Sequence, residues 1–279
     1  MTVKRTVTLS RSWKSWAGSV ADLRRLGDET EKHVQAKKEA LLRAFDTESQ
    51  SELEEIEKAK TGSAQEFELD WARESRASKR KDLEDRIALK AKLVDSAGIA
   101  EGSLSEIIQE FDHRSFNSVF YEADLGRSYE EDLSISLRKF GPKPGIELTI
   151  SSTDQAWARQ AFSHLSDEIA KGVPKWASMR SDGPRRAVAL GMFLVVSVSI
   201  GFMHYRLLGP SAQAWTTFVS AIGLGLWPVI AIYSPLWSYI FPPLDVHGEG
   251  GSSTGSRRLA FILGIFLTIA LGVFVNLIS

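Results

Sequence analysis

The distribution of charge constrains this chain more than any motif in it. Between residues 187 and 279 only Arg206, Asp245, Glu249, Arg257 and Arg258 are charged. The first 186 residues hold 31 basic and 33 acidic side chains. A charged, water-compatible segment therefore precedes an apolar one, and the near-neutral total describes neither.

Three runs in the apolar part are long enough to cross a bilayer, which takes about 20 residues. They cover about 187–206, 214–241 and 259–278. Read together they predict a membrane domain of three helical spans over 181–279. Pro228 and Pro235 lie in the second run and are expected to kink it, because proline removes a backbone donor and clashes with the preceding turn. Lys175, Trp176, Arg180, Arg185 and Arg186 precede the first run. Cations next to an interfacial indole suit an anionic membrane surface. By the positive-inside tendency they place the N-terminus in the cytoplasm and the C-terminus outside, in a multi-pass inner (cell) membrane protein. In the third run Ala260, Gly264, Thr268, Gly272 and Asn276 recur every four residues. Such a stripe lets helices approach closely and is expected to be a helix-packing surface, within the chain or between copies.

Residues 1–180 read as a cytosolic α+β domain. Val3, Val7 and Leu9 suggest a short first strand, whereas Trp13, Trp16, Val20, Leu23 and Leu26 suggest a helix from Ser12 to about Gly27. Residues 28–85 lack proline and are rich in Glu, Lys, Arg, Ala and Gln, a composition for long helix. Their apolar seam is interrupted at Ser49 and Lys60, so a coiled coil, an antiparallel hairpin breaking near Thr61–Gly62–Ser63 or Asp46–Ser51, and a solvated helix packed on its own domain fit equally well. The alternation of Ile87, Leu89, Ala91 and Leu93 suggests a strand, although Leu83, Ile87 and Val94 also satisfy a helical reading. Ser103 and Glu106 have capping-box spacing. Three further strand patterns, at 116–123, 133–137 and 146–150, predict a small antiparallel meander. Trp157, Ala158, Ala161, Phe162, Leu165 and Ile169 then form one apolar helical face, with caps available at Ser152, Thr153 and Asp154. That helix is expected to cover the sheet.

Catalytic signatures are absent from the sequence. No cysteine occurs, which removes thiol nucleophiles and cysteine metal sites. The five histidines are spread too widely for a local metal motif. Asp245, His247 and Glu249 alternate in one segment, but exposed polar loop residues explain them more simply. Asp112, His113 and Asp154 read as turn and cap residues, and His164 as a satisfied, half-buried histidine. The acidic run Glu52–Glu57 and the basic run Arg73–Lys81 read as solvated faces.

The expectation is a non-enzymatic, multi-pass membrane protein whose cytosolic domain binds a protein partner or ligand, as scaffold, sensor or regulator. An oligomeric pore or membrane-disrupting effector gated by that domain is the alternative, and an enzyme without a linear motif comes third. The expected partners are the lipid bilayer and a protein, including a second copy of the chain. Neither nucleic acid nor a cofactor is expected.

Overall fold

In the computed structural model the described residues are 5–59, 63–95, 98–103, 106–107, 116–126, 131–140, 144–208 and 235–248, with isolated positions between 222 and 264. They fall into two compact units. One comprises residues 1–12, 20–138 and 146–172, the other residues 13–19, 139–145 and 173–279.

The first unit is α+β, built on a six-stranded sheet rather than a small meander. Its strands are β1 (Val7–Trp13), β3 (Lys90–Asp95), β4 (Ile99–Gly102), β5 (Phe116–Asp124), β6 (Asp132–Arg138) and β7 (Gly145–Ser152), in the order β1-β7-β6-β5-β3-β4. β5 pairs antiparallel with both β3 and β6. The pattern behind these strands is plain alternation: Leu133, Ile135 and Leu137 are fully buried while Ser134, Ser136 and Arg138 are not. β1 joins the edge beside β7, where the Thr8 hydroxyl lies 2.7 Å from that of Ser151.

Two helices bring apolar faces to this unit. α1 (Val20–Ala59) is 40 residues long, and its N-terminal half buries Leu23, Leu26, Thr30 and Val34. The hydroxyl of buried Tyr121, on β5, donates to the carbonyl of Leu23 at 3.2 Å. α3 (Gln155–Lys171) buries Ala158, Ala161, Leu165 and Ile169, the face expected from its spacing. Between them in sequence, α2 (Ser63–Arg86) folds back along the second half of α1. The helical segment is therefore a hairpin within the chain, α1 ending at Ala59 and α2 starting at Ser63. The Ser103–Glu106 capping box forms, with Ser103 N–H donating to the Glu106 carboxylate at 2.9 Å.

The helix expected over 12–27 begins only at Val20. Trp13 ends β1, and Trp16 belongs to β2 (Trp16–Ser19), which pairs in parallel with β8 (Leu244–His247) in the second unit. There the Trp16 ring lies over Gly18, whose missing side chain leaves room for it.

The remaining second-unit elements are a 3₁₀ segment (Lys175–Arg180), α4 (Asp182–Leu208) and α5 (Pro235–Ile240). Ala189, Trp237 and Phe241 form a small buried cluster, flanked by Trp176 and Met192.

The membrane domain of three spans, and the multi-pass placement with a cytoplasmic N-terminus and an outer C-terminus, are not supported. Among the described residues no helix is long and apolar enough to cross a membrane. α4 covers the first expected span, but its first turns carry Asp182, Arg185 and Arg186. The second expected span, 214–241, contains a helix that starts at Pro235 and stops at Ile240 before the chain turns into β8. The rest of that run and most of 259–278 lie outside the described residues.

Candidate functional site

The first unit concentrates its polar chemistry where α1 runs antiparallel to α3. Three contacts form a row. Arg25 meets Glu168 at 3.4 Å. His33 Nε2 and His164 Nδ1 lie 2.9 Å apart, with ring centroids 5.1 Å apart and nearly perpendicular. Lys37 Nζ lies 3.3 Å from Asp154 and 5.3 Å from the centre of the Trp157 ring. On α1, His33 and Lys37 are four residues apart, and on α3, Trp157 and His164 are seven apart, so helical geometry sets both pairs on facing stripes.

The Lys37 end is built from the β7–α3 corner. Asp154 is the N-cap of α3, accepting the Trp157 N–H at 3.1 Å. Its own N–H donates to the hydroxyl of buried Ser152 at 3.1 Å. Glu131, buried at the entry to β6, accepts from the N–H of Thr153 at 3.2 Å and from the Thr153 hydroxyl. The corner is thus held from two strands. The Trp157 N–H holds the Asp154 carboxyl below its usual range, and the Lys37 charge adds to this. Lys37 is 4% exposed. Burying a cation is costly unless it is paired, and Asp154 with the Trp157 ring supplies the pairing.

At the histidine pair, burial lowers the His33 pKa, His164 lowers it further, and Glu29 opposes both. Glu29 is itself held below the usual carboxylate range, first by its hydrogen bond from Lys32 at 2.6 Å. No cluster of three or more His, Asp or Glu suited to a metal occurs among the described residues.

The second half of α1 and α2 form a charged arm. Arg76 donates to the Ser49 carbonyl and to Glu52, both at 2.8 Å, and Arg80 donates to Asp46 at 2.9 Å. The cleft between the helices has a volume of about 310 Å³ and is lined by Phe45, Glu48, Glu52, Arg76, Lys79 and Leu83 among others. Its mixed charges differ from the mostly apolar walls of small-molecule pockets. Trp71, on α2, is 66% exposed.

Several residues singled out in the sequence belong to the second unit. Trp176 packs on Phe241, and half-buried Arg180 donates to the Phe241 carbonyl. Burial, with Arg185 nearby, lowers the Arg180 pKa. Lys175 opens the 3₁₀ segment, and Arg185 and Arg186 lie in the first turns of α4. Pro235 is the first residue of α5, where a missing N–H costs nothing. Ala260 and Gly264 are helical and exposed, whereas Thr268, Gly272, Asn276 and Pro228 lie outside the described residues. So do Asp112, His113 and Glu249; Asp245 and His247 stand in β8.

Nothing local in the sequence pairs His33 with His164 or Lys37 with Asp154. A weak signal existed: His33 and Lys37 share the α1 stripe that continues buried Leu26 and Thr30. Arg76 and Arg80, expected on a solvated face, both turn toward α1. No protein-family model, curated protein or solved structure matches this chain.

Proposed function

We propose that the chain is a non-catalytic protein-binding module, a scaffold or regulator, that engages its partner through the α1–α2 arm. The observation that carries this reading is Trp71: a large indole, 66% exposed, on a helix whose opposite side is committed to α1 through Arg76 and Arg80. Exposed tryptophans of this kind are frequent anchors of interfaces. The surroundings favour a basic partner. Between Glu48 and Glu74 the arm carries nine carboxylates against Lys58, Lys60 and Arg73. An arginine or lysine of the partner can stack on the indole while neighbouring cations meet the carboxylates.

The test compares the full chain with its Trp71→Ala variant by cross-linking in cells and by titration of the recovered partner. Truncating an exposed side chain should leave stability within about 0.5 kcal/mol. Partner affinity should fall at least tenfold, and wild-type binding should weaken with added salt. Unchanged partners and affinity in the variant would overturn the reading.

A further inference from the structure

We propose that the His33–His164 contact is a proton-operated latch that holds α1 against α3 when at least one ring is neutral and releases it when both are charged. The geometry carries the argument. At 2.9 Å, Nε2 of His33 and Nδ1 of His164 must share one hydrogen, so one nitrogen donates and the other accepts. A neutral pair satisfies this, and so does one imidazolium facing one imidazole. Two imidazolium rings cannot, because both facing nitrogens are then donors. Their positive charges, with ring centroids 5.1 Å apart, also repel; in a half-wet site this makes the second proton about tenfold harder to add.

The surrounding charges do not remove the conflict. On α1, Glu29 attracts a proton to the pair, but Lys32 already occupies its carboxylate. On α3, His164 is the partner ring itself, and Glu168, one turn on, is engaged by Arg25 and Lys171. At the other end Lys37 adds a cation answered by Asp154. Beneath α1, β5 presents Tyr121, whose buried phenol stays neutral because burial raises its pKa. The first proton is therefore accommodated and the second is not.

The sign follows from the depressed His33. A histidine held below its unfolded value contributes stability that is complete above about pH 6.5 and is lost as pH falls through its folded value. The latch is thus closed at neutral pH and opens on acidification. Its link to partner binding rests on the arm reading above, since α1 belongs to both, but its opening can be measured without any partner.

The experiment is hydrogen exchange by mass spectrometry on the full chain from pH 7.5 to 5.0, corrected for intrinsic rates, alongside the His33→Gln/His164→Gln variant. Glutamine keeps hydrogen-bonding capacity and cannot be charged. Expected is a rise of about tenfold in exchange of 20–40 and 155–171 in the wild type as pH falls, absent in the variant. The same rise in both would overturn the latch. Should the variant not fold, the two imidazole resonances of the wild type decide. Two separated titration steps, the second below the ordinary imidazole range, support the latch; two independent titrations at ordinary values overturn it. Partner binding that survives opening would refute the link to the arm and leave the latch intact.

Discussion

Removing the Asp154 carboxylate should cost more than a helix cap, and the excess should vanish when Lys37 is removed too. As N-cap of α3, Asp154 accepts the Trp157 N–H, and losing such a cap costs about 1 kcal/mol. Asp154→Ala also leaves the Lys37 ammonium, with only 5% of its side chain exposed, without its counter-charge. Breaking a fully buried pair costs about 3–5 kcal/mol. The Asp154 side chain is 46% exposed, so solvent screens the pair and a contribution of about 1–2 kcal/mol is the appropriate share. Asp154→Ala is thus expected to lose about 2–3 kcal/mol in total. Lys37→Met keeps the volume and removes the charge, so it should lie within about 1 kcal/mol of wild type. In that background Asp154→Ala should cost only the cap. Urea denaturation of the four full-length proteins at pH 7, followed by far-ultraviolet circular dichroism, gives the coupling directly, about 1–2 kcal/mol. An equal cost of Asp154→Ala in both backgrounds, within about 0.3 kcal/mol, would refute the assignment of Asp154 as the counter-charge. The pH dependence has a definite sign. Asp154 is depressed below its ordinary value of 3.8, so its contribution is present above that value and is lost as pH falls through the folded one. Asp154→Ala should flatten the acid side of the stability profile.

Two further substitutions test the sheet and its cover. Leu165→Ala empties a fully buried position on α3 and should lower stability by about 2–5 kcal/mol in urea titration, with the cost set by how far the site collapses. Gly145→Ala meets two obstacles at the start of β7: a φ of +119° and a Trp13 carbonyl 2.2 Å from the new Cβ. It should destabilise by more than about 1 kcal/mol and speed exchange of the β1 and β7 amides; unchanged exchange there would show that the turn relaxes freely.

What the sequence disclosed depended on whether the partner of a residue was local. The α3 face was legible because Ala158, Ala161, Leu165 and Ile169 encode their burial through their own spacing. β6 and β7 were legible by alternation and β5 by its aromatic and β-branched residues, whereas the composition of 28–85 left a hairpin and a coiled coil open. The start of α1 was misread because Trp13, Trp16, Val20, Leu23 and Leu26 keep a helical interval through two strands. The interval cannot register that Trp16 covers Gly18 and pairs with Leu244, 228 positions away. The apolar last third was misread for a related reason: hydropathy measures the preference of a side chain, not the length of the element that carries it. His33 and His164 are 131 positions apart, and neither has a local reason to attract the other.

The continuity of α1 gives the site its interest. α1 runs through 40 residues, about 60 Å. Its first half contributes Leu23, Leu26, Thr30 and Val34 to the core and His33 and Lys37 to the α3 contact. Its second half is tied to α2 through Asp46, Ser49 and Glu52. An α-helix transmits rotation and translation along its axis because every turn is bonded to the next. A change of one or two kcal/mol at the α3 contact therefore does not remain local: either α1 moves as a body and carries the arm, or its ladder breaks near residue 40. The second course leaves backbone groups unpaired and gains nothing from the arm, whose ion pairs to α2 would be unchanged. Motion as a body shifts the core contacts of Leu23, Leu26, Thr30 and Val34 as well, so only a displacement small enough to keep them would carry an event at His33 and Lys37 to the arm.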